Sequence, residues 1–305
     1  MKNGVGVLIV TYNRISLLSE CVNHVLEQEL VPDRIIIVDN ASADDTPFYL
    51  KELEERTPFV SVVRLKTNGG GAAGFKIGLK VLNEDKSLDW YLLIDDDAMI
   101  EKGFIKQILN AAKENPDVEA FSGTVLQDGQ IDYDQRRSLY SKRVYRPQRV
   151  DASEYNNKWF KYDLASFCGL MLSSRIVDTV GLPLEKYFIW CDDTEYSIRI
   201  RNHSSIINVN SALLTHKSMG IDYEAVRIHW KMYYSFRNRL DLVHRHYSVF
   251  AVFAELLRIL HIALQNLQLF KHRKTWGDGK YNIKLCVDAI HDFLCDNYGK
   301  NNKYL

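Results

Sequence analysis

Three consecutive carboxylates, Asp95, Asp96 and Asp97, follow directly on the apolar run "WYLLI". Side by side they repel one another, so they need either a solvated turn, where aspartate is common, or a bound cation, which hard carboxylate oxygens suit. A second acidic group lies in "FIWCDDTEYSIRI", residues 188–200, where Asp192, Asp193 and Glu195 follow Trp190. Such acids could serve as a base for proton abstraction. Equally, they could stabilise the first turn of a helix through its dipole, with Glu195 and Arg199 spaced four apart as an ordinary ion pair. His216 closes a third apolar run, "IINVNSALLTH", and reads either as a hydrogen-bonded structural residue or as a metal ligand. The stretch "NGGGAAGFKIG", from Asn68 to Gly78, contains Gly69, Gly71 and Gly74 in a G-x-G-x-x-G spacing. That spacing alone is a weak dinucleotide signal. A phosphate-binding P-loop fails outright, because Phe75 stands at the lysine position. What remains is backbone that can approach a ligand at a helix start, or close packing of helix on sheet.

These groups need elements to position them. β-rich apolar runs alternate with helical patterns: "GVLIV", a helix over 15–28, "RIIIVD", a helix over 44–56, "VSVVRL", a helix over 73–83, "WYLLID", and a helix over 102–114. Alternation of this kind predicts a mostly parallel sheet covered by helices. Ligands of such sheets bind beyond the carboxyl ends of the strands. The residues standing there are Thr11, Asn13 and Arg14 after the first strand, Asp39 and Asn40 after the second, Asn68 and the glycines after the third, and the acid triplet after the fourth. A dinucleotide fold would put its glycine loop after the first strand, where "TYNR" has none. Residues 1–220 are expected to form one catalytic domain, with donor and metal residues in 1–125 and acceptor and base residues in 126–220. Residues 221–305 read as a helical region.

The 305 residues are 46% hydrophobic, enough for a full core, and carry 39 basic and 39 acidic side chains. That balance gives no reason to expect nucleic acid as a partner. Five cysteines without a C-x-x-C pair argue against a disulfide framework or a zinc knuckle and fit a reducing cytosol. The N-terminal run "VGVLIV" is too short for a leader core, so the expectation is a cytoplasmic protein. Charge is uneven further on: Lys217 to Lys284 holds twelve Lys or Arg against five acids. Within it, Val249 to Phe270 is apolar but interrupted by Glu255, Arg258, His261 and Gln265, a polar stripe on an amphipathic helix rather than a membrane span. Packing on the catalytic domain, pairing in a homo-oligomer, and peripheral docking on an anionic membrane aided by "KHRKTW" all suit that pattern.

In combination, "VLIVTYNR", "IIIVDNASADDT", "NGGGAAGF" and "LLIDDDA" resemble the inverting nucleotide-sugar glycosyltransferases of the large family 2 type, built on the GT-A fold. The resemblance implies an α/β GT-A catalytic domain followed by helices. It implies that Asp39 reads the pyrimidine base, that Thr11, Asn13, Arg14, Asn68 and Gly71 line the nucleotide, and that Asp95 and Asp97 hold a metal as the D-x-D pair. Asp96 would meet the ribose or support its neighbours. "WCDDTEY" is similar to the family's W-D-D-x-E motif, with Cys191 inserted, which implies Asp193 as the base and Trp190 and Asp192 on the acceptor. His216 falls where related enzymes place a third ligand, and an imidazole beside carboxylates suits Mn²⁺ better than Mg²⁺.

"NGGGAAGF" with "WCDDTEY" resembles bacterial galactofuranosyl transferases, and rhamnosyl transferases are similar. UDP-galactofuranose is therefore the first expected donor and dTDP-rhamnose the alternative, with a lipid-linked saccharide of a surface polysaccharide as acceptor. "YYSFRNRLDL", residues 233–242, echoes a segment of the same enzymes, and Arg237 and Asn238 could meet donor or acceptor phosphates there. A nucleotidyltransferase would need a basic, glycine-rich loop after the first strand and is disfavoured. A catalytically inactive carbohydrate-binding protein of the same fold would have lost the metal acids or the base.

Overall fold

The computed structural model describes residues 4–141, 144–217, 225–271 and 275–305. The chain opens with the alternation expected: β1 (Val5–Thr11), α1 (Ile15–Leu26), β2 (Arg34–Asp39), α2 (Thr46–Arg56), β3 (Val60–Arg64), α3 (Gly70–Glu84) and β4 (Trp90–Asp95). Then follow β5 (Ala98–Ile100), α4 (Phe104–Glu114), β6 (Ala120–Gln127), β7 (Gln130–Ile131), β8 (Arg136–Leu139), β9 (Pro147–Arg149), β10 (Trp159–Tyr162), β11 (Leu164–Ala165) and β12 (Leu170–Ser173). After α5 (Ser174–Val180), α6 (Asp192–Arg201) and β13 (Ile206–His216), the chain ends in α7 (Lys231–His246), α8 (Val249–Gln265) and α9 (Trp276–Leu294).

The chain divides into two compact units. The first comprises residues 4–139, 147–185 and 193–217; the second comprises 140–146, 186–192 and the described residues from 225 onward.

In the first unit the main sheet runs β10-β13-β6-β12-β4-β1-β2-β3. β1 pairs in parallel with β2 and β4, and β2 with β3. The strands β1, β2 and β4 are apolar along nearly their whole length because both faces are covered. β12 breaks the parallel order, lying antiparallel between β4 and β6, while β13 runs parallel to β6. Two cores flank this sheet. One gathers Val7, Ile9, Ile37 and Ile94 with helices α1 and α4; the other gathers Leu8, Val10, Val38 and Leu93 with Phe75 and Leu79 of α3.

Register makes the site. Thr11 stands opposite Asp39 at the ends of β1 and β2, Val10 stands opposite Asp95 on the other side, and β5 pairs with β13 so that Ala98 meets His216. The expected edge therefore exists, with its polar groups set at the carboxyl ends of the parallel strands.

The glycines of α3 explain how close the helix lies. A Cβ on Gly78 would stand 2.1 Å from a Leu8 methyl, and one on Gly74 would stand 2.5 Å from Val10. These two serve close packing. Gly71 faces open space instead, so its backbone is free to approach a ligand.

The second unit has its own core of Phe188, Tyr233, Tyr234, Phe236, Ile259 and Leu285, with Tyr304 of the C-terminal tail stacked on Tyr233 at 4.4 Å.

Candidate active site

The acid triplet begins on the last residue of β4 and turns toward β5. Asp96 and Asp97 are each 3% exposed. Thr11 Oγ1 donates to Asp96 Oδ2 at 2.7 Å. Arg14 reaches across from the loop after β1, donating from Nη1 to Asp96 Oδ1 at 3.1 Å and to Asp97 Oδ2 at 2.7 Å. The sequence reading set Arg14 on a nucleotide. Here its guanidinium bonds two of the three crowded carboxylates and offsets part of their mutual repulsion. The same geometry gives Asp96 its supporting contacts.

His216, at the end of β13, places Nε2 3.2 Å from Asp97 Oδ1. That oxygen is buried and has no well-aligned hydrogen-bond donor.

Electrostatics separate the three acids. Burial, reinforced by the charge of Asp97, pushes Asp95 up to about 7. Burial pushes Asp96 up to about 6, against the pull of Arg14 and Thr11. For Asp97 burial also raises the pKa, but His216 and Arg14 outweigh it and hold the group below the usual carboxylate range. Burial opposes protonation of His216, yet Asp97 and Asp95 raise its pKa overall.

A divalent cation fits this donor set. Asp95, Asp97 and His216 supply hard oxygens and one imidazole, and positive charge there would relieve the raised Asp95 and Asp96. No three such side chains already converge as a metal cage among the described residues.

The loops after β1 and β2 are stitched together. Asn13, at φ 53°, donates its N–H to Ser42 Oγ at 2.9 Å and accepts from the Ala43 N–H at 2.7 Å. Asp39 is fully buried. Its Oδ1 accepts from the Ser42 N–H at 2.8 Å, while Oδ2 has no hydrogen-bond donor and faces Arg64 Nε at 3.4 Å. Asn68 accepts from the Gly70 N–H at 2.8 Å and so shapes the turn into α3. Thr11, Asn13, Arg14, Asp39, Asn68, Gly71 and the acids thus all lie in the first unit, on the loops at one sheet edge.

Asp193, the second residue of α6, lies within the same unit. Its Oδ1 accepts from the N–H and hydroxyl of Thr194, at 2.5 and 3.0 Å. Although part of it remains exposed, close walls make desolvation the leading influence, and its pKa is raised despite Arg137. Arg137 donates to Thr194 Oγ1 at 3.2 Å. Glu195 is buried and paired two-pronged with Arg199, at 2.8 to 3.1 Å. Its structural part matches the four-residue spacing.

Trp190 and Asp192 belong to the second unit. The segment Phe188–Cys191 is unusual: Phe188, Trp190 and Cys191 all have positive φ, 65° to 67°. One buried amide holds it, since Asn238 Nδ2 donates to the carbonyls of Tyr187, Ile189 and Trp190 at 2.9 to 3.1 Å. Asn238 is fully buried and Arg237 is 1% exposed. Neither can meet a phosphate as the sequence suggested. The helix turns them inward, where Arg237 donates to the Gly299 carbonyl at 3.0 Å and stacks against Tyr233, Tyr234 and Tyr298.

Sequence reasoning missed Arg64 beside Asp39 and Arg137 beside Thr194, because an isolated arginine in a polar stretch carries no spacing signal. It also missed Arg136, fully buried yet satisfied by neutral oxygens, among them those of Gly123, Cys168, Ser166 and Asn208.

Comparison with known proteins gives the site a context. The profile of glycosyl transferase family 2 matches residues 6–178. Galactofuranosyltransferase GlfT1 of Mycolicibacterium smegmatis is 28% identical over 197 residues, 63% of this chain and 64% of that protein. The chain thus aligns with slightly less than two thirds of that relative. dTDP-rhamnosyl transferase RfbF of Shigella flexneri is 26% identical over 68% of this chain and 67% of its own length. Among solved structures, GalNAc-T7 with UDP, GalNAc and Mn²⁺ superposes with a TM-score of 0.63 at 12% identity, over 97% of this chain and 58% of that one. That likeness speaks for the fold, which is the GT-A arrangement of a mostly parallel sheet with flanking helices. With the family profile matching more than half of its length, over the strands that carry Asp39 and the acid triplet, the chain belongs to glycosyl transferase family 2.

Proposed function

We propose that this chain is an inverting, metal-dependent glycosyltransferase that moves galactofuranose from UDP-galactofuranose to a saccharide on a lipid carrier. The observation that carries this reading is the acid triplet at the end of β4, with Asp96 and Asp97 buried and Asp95 partly exposed, on the same sheet edge as a buried Asp39 whose second oxygen has no hydrogen-bond donor and faces Arg64 Nε at 3.4 Å. That oxygen can accept the imide N–H of uracil or thymine. Thr11, Asn13, Asn68 and the exposed backbone at Gly71 complete a nucleotide cradle. Asp95, Asp97 and His216 would hold the cation, Mn²⁺ before Mg²⁺ because of the imidazole. When bound, that cation neutralises charge on the departing diphosphate. Arg14 then becomes free to leave the carboxylates and pair with a phosphate. Asp193, with its raised pKa, takes the acceptor proton as the acceptor oxygen attacks the anomeric carbon. A single displacement inverts that centre. Trp190 and Asp192 contribute to the acceptor.

The rhamnosyl relative supports dTDP-rhamnose as a second donor, with the residue roles unchanged. An inactive carbohydrate-binding role is weaker, because both the metal acids and Asp193 are in place.

A thermal-shift titration with UDP, dTDP, GDP and NADH, with Mn²⁺ and with chelator, tests the reading. A ligand at a hundred times its dissociation constant adds about 2.7 kcal/mol. Stabilisation by UDP that needs metal supports the galactofuranosyl reading; preference for dTDP moves the donor to rhamnose. NADH stabilising without metal would overturn the proposal.

A further inference from the structure

The sequence marks Glu255, Arg258, His261 and Gln265 as one polar stripe along α8, and the structure splits that stripe. Ala251, Glu255, Ile259 and Ala263 form the buried side, and Glu255 is clasped by Arg258 and by Arg239 of α7, whose Nε lies 2.8 Å away. The outward side carries Phe250, Phe253, Leu257, Leu260 and Leu264, which are 81, 60, 51, 45 and 62% exposed. Leu267 and Trp276 extend it, with Trp276 packed on Phe270 at 5.7 Å. Together these side chains expose on the order of 800 Å², more than the few hundred Å² usual for a patch on a monomer.

Charge chooses between occupants. The exposed positions of α8 include no charged residue, His261 and Gln265 being the polar ones, bonded to each other at 3.0 Å. The surface of the unit is basic: among its described residues from 225 onward, seven Lys or Arg are exposed against one acid, Asp296. Lys271 stands at the end of the apolar face, and Lys280 lies 5.7 Å from the Trp276 ring. Two copies meeting through such faces would bring like charges together. The patch also spreads beyond one helix onto Trp276, wider than the two-residue seam of a helix pair. From Val249 to Lys271 the 23-residue segment is long and apolar enough to cross a bilayer, its most apolar 18 residues having a mean hydropathy of 1.4. Glu255 and its arginines hold one side of it against protein, however, which leaves a face rather than a span.

We propose that the exposed face of α8, with Leu267 and Trp276, lies on an anionic lipid surface, its apolar side chains at the acyl boundary and the basic residues among the headgroups. The inference stands on this surface and not on the identity of the donor. His272, Arg273 and Lys274 of the basic stretch "KHRKTW" lie outside the described residues.

Flotation of the full-length protein with vesicles tests it. Binding is expected to vesicles containing about a third phosphatidylglycerol, and to fall at least about tenfold on pure phosphatidylcholine or in about 0.5 M salt. The double variant Leu257→Glu with Leu264→Glu should lose a further tenfold or so on anionic vesicles, while melting temperature and stabilisation by UDP stay unchanged. Absence of vesicle binding by the wild type overturns the proposal, as does unaltered binding by the double variant. A wild-type dimer that ignores vesicles and that the double variant splits would assign the face to a second copy. Release from vesicles by detergent alone would make the helix a span.

Discussion

Asp95 sits where ionisation is costly, largely desolvated and beside two other acids, and this makes its protonation a reporter of the cation proposed here. With its pKa pushed up to about 7, the folded metal-free protein holds a proton there that the unfolded chain has released. Stability therefore falls as pH rises from the usual carboxylate range through about 7, since the native state binds more protons over that window. A metal at the site should remove that slope. Melting curves between pH 5 and 8 should thus show the metal-free protein losing stability toward alkaline pH, and Mn²⁺ stabilising most at the alkaline end. A Mn²⁺ effect independent of pH would place the ion elsewhere. For Asp193, replacement by Asn should lower transfer by roughly 10² to 10⁴-fold while UDP stabilisation persists. Because burial raises its pKa, the acid limb of the rate profile should lie above that of an ordinary carboxylate. Full transfer by the Asn variant would remove Asp193 from the mechanism. Most of these residues were legible because each follows an apolar strand directly. Arg14 stands directly after β1, as the sequence expects of a residue at this edge, and its guanidinium bonds Asp96 and Asp97. Sequence shows which charges share an edge, whereas the partner each one takes in the absence of ligand depends on repulsion among the acids.

At the scale of elements, Asn238 ties α7 to the segment that leads into α6. Three residues at positive φ cost of order 1 kcal/mol each or more outside glycine, so the segment keeps its shape only while something holds it. One amide donating to three carbonyls is that hold. Asn238→Asp keeps the volume but turns donors into acceptors facing carbonyls. It should cost about 1–3 kcal/mol in stability and lower kcat by about tenfold or more, with UDP binding intact. A variant with unchanged kcat would show that the shape of Phe188–Cys191 does not matter to transfer. No pattern in "SFRNRL" announced this role: an asparagine within a helix reads as a surface or ligand residue until its burial is known. The β/α alternation was plain because each parallel strand is apolar throughout. The antiparallel insertion of β12 was not, since four residues, "LMLS", look alike in either direction. On α8 the spacing of Glu255, Arg258, His261 and Gln265 predicted one stripe, and the inward ion cluster split it.

For the whole molecule, the way the chain weaves between units decides what can be removed. A change of composition near residue 220 invites cutting there, yet the second unit also takes residues 140–146 and 186–192. Both segments depend on the helices that such a cut discards. Tyr145 packs on Tyr247 at 5.8 Å and lies under Arg239 at 4.6 Å, while Phe188 packs on Tyr234 at 5.1 Å. The residues proposed for the donor, by contrast, namely Thr11, Asp39, Asn68, the acid triplet and His216, all belong to the first unit. A chain of residues 1–220 should therefore separate two properties. It should keep metal-dependent stabilisation by UDP, because the sheet edge is whole. Transfer should fall by two orders of magnitude or more, as roughly expected when groups that orient reactants lose their geometry, because Trp190 and Asp192 would hang from a strained segment without its clamp. The exposed Phe188 and Tyr145 should also make the shortened chain prone to association, measurable by light scattering. Loss of UDP binding together with transfer would mean that the donor site itself needs the helices. A soluble 1–220 chain that transfers at the full rate would show instead that Phe188–Cys191 holds its shape unaided, and the clamp assigned to Asn238 would fall with it.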